Sequence, residues 1–365
     1  MIDSKPELRG LCREFRWRLS LVASAIALGL GSCTNPTSPE ASQPESAPLT
    51  TPVSTAAQLQ VVTTFIPITE FTQAVVGDRA RVTQLLPNNV GPHDYQAKPA
   101  DAQTLAQADV LVKNGLGMEA FLEDLVKNAA NPKLRIIDSS QGVQTIRTET
   151  IEEHSHSHDD KEAGHEHGEF NPHIWLDPKR AIQQVETIRD GLIAADTAGK
   201  ETYTANAAAY ISRLKELDRQ FTTQLRPFAG KTFVTYHDFA PYFAQSYNLK
   251  AEFLVGIPEE NASPADVQRV IDAAKNSNLR MLLTEPQVMG NPFSALAKDL
   301  NVQVSYFDPI ETAPGEGVQP DYYFTVMGQN LTNLTTALGG KTTQSFLPQR
   351  SLPLAIVPQP LRLPF

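Results

Sequence analysis

Cysteine is almost absent from this chain of 365 residues, which contains only Cys12 and Cys33. Cys12 lies in a segment that we expect to be removed, so the rest of the chain can form no internal disulfide, even in a compartment that would permit one. A long apolar run is also missing, because the most apolar stretch covers only residues 19–30, whereas a membrane-spanning helix needs about 20 residues. The sequence therefore favours neither a disulfide scaffold nor a membrane-spanning protein.

Positive charge is in short supply. The chain has 31 Lys and Arg residues against 41 Asp and Glu residues, for a formal net charge of −10. Residues 1–32 hold five of the basic residues and three of the acidic ones, so their removal leaves a net charge of −12. Such an acidic chain is poorly suited to nucleic acids and anionic membrane surfaces, and it is suited to binding cations.

The first 32 residues have the pattern of a secretory signal peptide. Arg13, Arg16 and Arg18 precede the short apolar run, which ends in the sequence L-G-S-C at 30–33. A cysteine directly after small residues resembles the lipobox of bacterial lipoproteins, which predicts that Cys33 is lipidated and becomes the first residue of the mature protein. The alternatives are an ordinary signal peptide cleaved elsewhere and a membrane helix. Residues 33–58 are rich in Pro, Ser and Thr and indicate an extended tether.

From residue 59 onward, short β-rich runs alternate with helical patterns, which predicts an α/β fold with parallel-type sheets. The expected strands cover 60–65, 81–86, 109–113, 134–137, 231–236, 280–284 and 302–307. Apolar residues recur at helical spacing over 201–226, and this helix is long enough to join two lobes. We therefore predict an N-terminal lobe over 59–200, a connecting helix over 201–226 and a C-terminal lobe over 227–340. Residues 341–365, with five prolines, form a Pro-rich tail.

The eight histidines fall into two groups. Five lie in an acidic tract over 152–169 with no large apolar residue before Glu169, namely His154, His156, His158, His165 and His167. The other three, His93, His173 and His237, lie in stretches that are predicted to be structured. His93 follows the second strand and His237 directly follows a strand of the second lobe, and ligands of parallel sheets bind at the carboxyl ends of strands. We therefore predict that His93, His173 and His237 bind one metal ion.

Two carboxylates, Glu285 and Asp308, also follow strands of the second lobe, and either could complete the site. Three imidazoles with a carboxylate or water suit tetrahedral Zn²⁺, whereas Mn²⁺ prefers mostly oxygen ligands. The spacing alone leaves alternatives open, because no local metal motif such as H-E-x-x-H is present. Each histidine could be a hydrogen-bonded structural residue, and each carboxylate could cap a helix or contact a ligand instead of the metal.

Five motifs occur in a family's order: G-P-H-D-Y at 91–95, N-G-L-G-M-E at 114–119, N-P-H-I-W-L-D-P at 171–178, Y-H-D-F-A-P-Y-F at 236–243 and T-E-P-Q at 284–287. With them, the chain resembles the cluster A-I solute-binding proteins of metal ABC transporters, in particular the zinc-binding ZnuA type. The resemblance implies two lobes joined by one long rigid helix, with a metal ion in the cleft between them and delivery of that ion to a membrane permease.

The resemblance also assigns residues. It places His93, His173 and His237 on ligand positions and Asp308 on the aspartate that is the fourth ligand in many members, with water as the alternative. Manganese-binding members tend to have a carboxylate where this chain has His237. Zinc-type members often carry a histidine-rich acidic loop just before the second ligand, as here. Glu285 remains a candidate for contact with a ligand. Some zinc-type members have a disulfide in the second lobe, which this chain cannot form.

The resulting expectation is a monomeric zinc-binding lipoprotein, periplasmic or otherwise extracytoplasmic, that captures Zn²⁺ and delivers it to an ABC permease. The acidic tract would act as a secondary zinc collector or sensor, or else be a solvated loop without a role. Alternatives are a binding protein for manganese or another divalent metal, a surface adhesin lipoprotein, and a zinc hydrolase. We expect no enzyme, because no nucleophile motif and no general base beside a ligand is present.

Overall fold

The structure is a computed structural model that describes residues 58–93, 95–148, 169–257, 261–288, 292–315, 318–319 and 321–340. The predicted signal peptide with Cys33, the tether up to residue 57, the five histidines of the acidic tract and the Pro-rich tail lie outside the described residues. Among the helices of the described part, none is long and apolar enough to cross a membrane.

The first lobe is a parallel sheet of four strands in the order β2-β1-β3-β4. Its strands are β1 (Leu59–Thr63), β2 (Ala80–Gln84), β3 (Val110–Lys113) and β4 (Arg135–Asp138). Its helices are α1 (Ile66–Val76), α2 (Pro99–Ala106), α3 (Leu122–Ala129) and α4 (Pro178–Ala195). The central strands are apolar because helices cover a parallel sheet on both faces.

The second lobe repeats this strand order as β6-β5-β7-β8, and the sheet is again parallel. Its strands are β5 (Thr232–His237), β6 (Lys250–Val255), β7 (Met281–Thr284) and β8 (Gln303–Tyr306). Its helices are α6 (Pro241–Ser246), α7 (Pro264–Ser277), α8 (Ser294–Leu300) and α9 (Tyr322–Ala337). The predicted α/β class with two parallel sheets is therefore confirmed.

A single long helix, α5 (Lys200–Leu225), joins the lobes and has 26 residues. At 1.5 Å per residue its length is roughly 39 Å. Its apolar stripe is buried against α1 and α4 of the first lobe and α9 of the second. Near its end, the ring centroid of Phe221 lies 5.4 Å from those of Phe243 and Tyr247 in the second lobe. The helix thus packs on both lobes, as the sequence predicted.

A second connection between the lobes lies beside Trp175, which is completely buried. Its indole Nε1 donates a hydrogen bond of 2.8 Å to the carbonyl of Pro309 in the second lobe. The hydroxyl of Tyr323 in α9 donates one of 2.7 Å to the carbonyl of Trp175. The ring of Phe65 packs edge-on against the indole from the first lobe. One apolar core therefore continues from the first sheet through this contact into the second lobe.

The structure contains elements that the sequence reading left unassigned, namely α3, β6, α6 and α8. These elements have eight residues or fewer, which is too short for their periodicity to be distinctive. The stretch 322–326 begins α9.

Candidate metal centre

The three predicted histidines lie at the carboxyl end of a strand or in a segment that follows one. His93 lies in a turn after β2, and 15% of its side chain is exposed. His173 directly precedes a short 3-10 helix (Ile174–Leu176) that leads into α4, and it is completely buried. His237 is the last residue of β5 and is also completely buried. Two rings therefore come from the first lobe and one comes from the second.

The Nε2 atoms of these rings converge on one point. Nε2 of His173 lies 3.3 Å from Nε2 of His93 and 3.2 Å from Nε2 of His237. The three ring centroids lie 5.0 to 5.8 Å apart. Histidines separated by dozens of residues along the chain are thus brought together by the fold.

A carboxylate of the second lobe completes this group. Oε1 of Glu311 lies 3.0 Å from Nε2 of His173 and 3.5 Å from Nε2 of both His93 and His237. The four donor atoms all lie within 4.8 Å of one another. The side chain of Glu311 is only 3% exposed, so its oxygen faces the histidines and not bulk water.

Asp308, the carboxylate that the sequence favoured, does not belong to this group. Its Oδ1 accepts a hydrogen bond of 2.7 Å from the backbone N–H of Ile310. Ile310 adopts a left-handed conformation with φ of 62°, and this turn brings Glu311 to the rings. Burial raises the pKa of Asp308 to about 7, and the nearby carboxylates of Glu285 and Glu311 act in the same direction. Asp308 therefore stabilises the turn that presents Glu311.

The separations of the four donors match the size of a zinc coordination shell. Zinc lies about 2.0–2.2 Å from imidazole nitrogens and carboxylate oxygens, so neighbouring ligand atoms of a tetrahedral site are about 3.3–3.5 Å apart. The separations around His173 and Glu311 range from 3.0 to 3.5 Å. Three imidazoles and one carboxylate also form a donor set that suits Zn²⁺.

Glu285 contacts a histidine and is not one of the four donors. Its Oε1 lies 2.7 Å from Nδ1 of His237 and accepts the backbone N–H of the same residue at 3.0 Å. The Nε2 of Gln287 donates to its other oxygen at 2.7 Å. Because a carboxylate accepts the proton of Nδ1, the neutral ring of His237 has its lone pair on Nε2, which is the nitrogen that faces the other rings.

Burial and charge determine the protonation of the site. Burial lowers the pKa of His173 to about 3, which favours its neutral form. Burial also acts against a charge on His237, but Glu285 and Glu311 outweigh it and raise the pKa of that ring well above its usual value. For Glu311, burial is outweighed by His93 and His237, which hold the pKa of the carboxyl well below its usual range. The ionised carboxylate favours a cation among the rings.

Aromatic side chains surround the buried rings. The ring centroid of Trp175 lies 5.1 Å from that of His173, and the centroid of Phe239 lies 5.0 Å from that of His237. Both aromatic residues are completely buried. Because this environment has a low dielectric constant, charges inside the site interact more strongly than they would in water.

The N-G-L-G-M-E motif supports the segment before His173. Glu119 accepts hydrogen bonds from the Oγ1 of Thr64 and from the backbone N–H groups of Asn114 and Gly115. The side-chain Nδ2 of Asn114 donates to the carbonyl of Pro172 at 2.9 Å. Burial raises the pKa of Glu119. The motif therefore has a structural role, in a polar network that ends next to a ligand candidate.

The ends of the acidic tract are held together. The backbone N–H of Thr148 donates to Glu169, and Arg147 pairs with Phe170 in an isolated antiparallel bridge. The side chains of Arg147 and Glu169 form an ion pair. This stem lies a few residues before His173 in the chain.

Two lobes joined by one helix, with a buried cation-sized group of donors in the cleft, define a metal-binding member of the solute-binding proteins. The family model ZnuA, described as "Zinc-uptake complex component A periplasmic", matches residues 61–337. The chain belongs to the ZnuA family, as the sequence predicted.

Similar proteins and structures agree with this membership. The zinc-binding lipoprotein AdcA of Streptococcus pneumoniae R6 is 32% identical over 313 residues, which cover 85% of this chain and 59% of AdcA. The crystal structure of the Zn(II)-bound ZnuA-like domain of S. pneumoniae AdcA has a TM-score of 0.62 and 29% identity, over 77% of this chain and 99% of that domain.

The laminin-binding protein Lmb of Streptococcus agalactiae, described as a bifunctional protein with adhesin and metal-transporting activity, has a TM-score of 0.66 and 26% identity. The match covers 77% of this chain and 99% of Lmb. The AdcA relatives are longer proteins, and this chain spans between 57% and 59% of their length.

Proposed function

We propose that this protein binds one Zn²⁺ ion through His93, His173, His237 and Glu311 and is the solute-binding component of a zinc-uptake ABC transporter. The observation that carries the proposal is the convergence of three Nε2 atoms and one carboxylate oxygen, all within 4.8 Å of one another, in the cleft. Zinc is the cargo of this protein, and a membrane permease receives it.

The donor set favours zinc over manganese. Three of the four donors are imidazole nitrogens, whereas sites for Mn²⁺ consist mostly of oxygen. His237 is the donor that distinguishes the two, because a carboxylate at that position would give two nitrogens and two oxygens. Glu285 supports this choice, since it holds the ring of His237 with Nε2 directed toward the other donors.

The location that we propose for the protein follows from its amino-terminal sequence and from its family. A signal peptide over 1–32, a lipid on Cys33 and a tether over 33–58 would hold the two lobes outside the cytoplasmic membrane, within reach of the permease. The lobes over 59–200 and 227–340, joined by the helix over 201–226, would act as one monomeric carrier. No nucleic acid is expected as a partner of such an acidic chain.

The same geometry disfavours an enzyme. Catalytic zinc sites keep one coordination position for water or substrate, whereas structural sites are closed by four protein ligands. Here Glu311 occupies the fourth position, so a bound ion would be fully coordinated by the protein. Zinc-loaded wild-type protein should therefore show no hydrolytic activity. Hydrolysis by the wild type that is lost in His237→Ala would indicate an enzyme instead.

Competitive metal binding tests the proposal. The full chain is incubated with equal concentrations of Zn²⁺ and Mn²⁺ in the presence of a chelator that limits the free metal. The bound metal is then measured for the wild type and for His237→Asp. The wild type should bind zinc almost exclusively, and the variant should shift toward manganese because an oxygen replaces a nitrogen. A wild type that binds neither metal, or prefers manganese, would contradict the proposed function.

A further inference from the structure

Every polar group of Asn171, which is completely buried, has a partner. Its side-chain Oδ1 accepts the backbone N–H of His173 at 3.1 Å and lies 2.9 Å from Nδ1 of the same ring. Its Nδ2 donates to the carbonyl of Asp238 at 2.6 Å and lies 3.2 Å from Oδ2 of that residue. Its backbone N–H donates to Ile146 at 2.9 Å, and its carbonyl accepts the hydroxyl of Tyr242 at 2.6 Å.

These partners determine the orientation of the amide. The backbone N–H of His173 can only donate, so the amide atom that it contacts is the oxygen. The carbonyl of Asp238 can only accept, so the other amide atom is the nitrogen. Because the oxygen of Asn171 only accepts, Nδ1 of His173 must carry the proton that it receives. The lone pair of His173 is then on Nε2, the atom that faces His93, His237 and Glu311.

The same amide joins two donors from different lobes. Asn171 and His173 belong to the first lobe, whereas Asp238 directly follows His237 in the second. The backbone of Asn171 is fixed on both sides, by Ile146 in the stem of the acidic tract and by Tyr242 in α6. A displacement of Asn171 would therefore change the position of the ring of His173 relative to that of His237.

We propose that Asn171 is a positioning residue that selects the metal-binding tautomer of His173 and fixes the spacing between His173 and His237 across the cleft. This inference rests on the proposed function, because it concerns zinc binding at that site. Asn171 differs from Glu285, the corresponding partner of His237, in being neutral and in contacting both lobes. A neutral partner orients the ring without adding a further negative charge to those of Glu285 and Glu311.

Two substitutions separate the two parts of this role. Asn171→Ala removes the acceptor and the donor, so His173 can rotate and can carry its proton on Nε2. Zinc affinity should fall by about 10- to 100-fold, as is typical when the partner of a ligand is lost. Asn171→Asp keeps an acceptor for Nδ1 but loses the donor to Asp238, so the ring should remain oriented while affinity falls to an intermediate value.

The readouts are chelator competition with Zn²⁺ and the visible absorption of the Co²⁺-substituted full chain, which reports the geometry at the metal. Asn171→Ala should lose the intensity typical of tetrahedral cobalt, and Asn171→Asp should retain it. The matched control is Asn131→Ala. The Nδ2 of Asn131 bridges the carbonyls of Leu105 and Ala108 within the first lobe, so this variant should be less stable without changing either readout.

Unchanged zinc affinity and an unchanged cobalt spectrum in Asn171→Ala would overturn the proposal and leave Asn171 a merely structural residue. If Asn171→Ala does not fold, Asn171→Asp decides: a wild-type cobalt spectrum supports the orienting role, and a lost spectrum refutes it. Failure of the wild type itself to bind zinc would instead refute the proposed function. The two failures are therefore distinguishable.

Discussion

At the scale of single residues, the sequence predicted the three histidines of the site but not its fourth donor, Glu311. Once the acidic tract is set aside, only His93, His173 and His237 remain, and each lies in a stretch that is predicted to be structured. The fourth donor was different because Asp308 and Glu311 both follow β8. The choice between them depends on the left-handed backbone of Ile310, which no residue type in that segment indicates.

The two carboxylates should therefore respond differently to substitution. Glu311→Ala removes a donor and the negative charge of the site, so zinc affinity should fall by more than the about 10- to 100-fold seen for residues that only contact ligands. Asp308→Asn keeps an oxygen that can accept the N–H of Ile310, and it should bind zinc nearly as the wild type does. Chelator competition on both variants measures this, and a greater loss for Asp308→Asn would contradict the assignment.

At the scale of elements, the backbone at the start of α9 is bound by a partly buried carboxylate of the first lobe. Glu70 in α1 accepts the backbone N–H of Tyr323 at 3.1 Å. Burial raises the pKa of Glu70 to about 8; the bond from Tyr323 and the charge of Arg213 oppose this rise, whereas Asp321 adds to it. The sequence offered no sign of this contact, because 253 residues separate Glu70 from Tyr323.

This contact predicts a pH dependence of stability. Glu70 has a higher pKa in the folded state than in the unfolded state, so its contribution is complete below about pH 4.5 and is lost as the pH rises toward 8. Glu70→Gln should be more stable than the metal-free wild type by up to about 4 kcal/mol at pH 8 and similar to it at pH 4.5. Urea unfolding at both pH values measures the difference.

Glu123→Gln is the matched control, because the side chain of Glu123 in α3 is 82% exposed. It should leave the pH profile of the wild type unchanged. If Glu70→Gln follows the same pH profile as this control, ionisation of Glu70 does not lower the free energy of unfolding, and the prediction is wrong.

The acidic tract ends at Glu169, and the bridge between Arg147 and Phe170 lies outside it, as do all four donors of the metal site. Deletion of residues 152–169 should therefore leave the tight zinc site intact and remove additional, weakly bound zinc. Isothermal titration of the deletion variant measures both classes of site. Loss of the tight site would show that the tract contributes to it, in conflict with four donors that all lie outside the tract.

At the scale of the whole molecule, the parallel sheets and the connecting helix follow from periodicity that can be read along the chain. The identical strand order of the two sheets and the contact at Trp175 could not be predicted, because they depend on packing between distant residues. Together they place the carboxyl ends of both sheets on one cleft, which is where His93 and His173 face His237 and Glu311.

Because the donors come from both lobes, zinc should stabilise the molecule as a unit. A ligand that binds only the folded state adds about 4 kcal/mol of stability when it is present at 1,000 times its dissociation constant. The melting temperature of the wild type should rise with zinc, and that of His93→Ala should rise much less. Equal shifts in the two proteins would mean that His93 is not a ligand.

The most direct test of the zinc site is X-ray absorption at the zinc edge of the full chain loaded with one equivalent of Zn²⁺. We predict four ligands at about 2.0–2.2 Å, of which three are imidazoles and one is a carboxylate oxygen. In Glu311→Ala the oxygen shell should change while the three imidazoles remain. A first shell with fewer than three imidazoles, or one unaffected by Glu311→Ala, would contradict the site described for this protein.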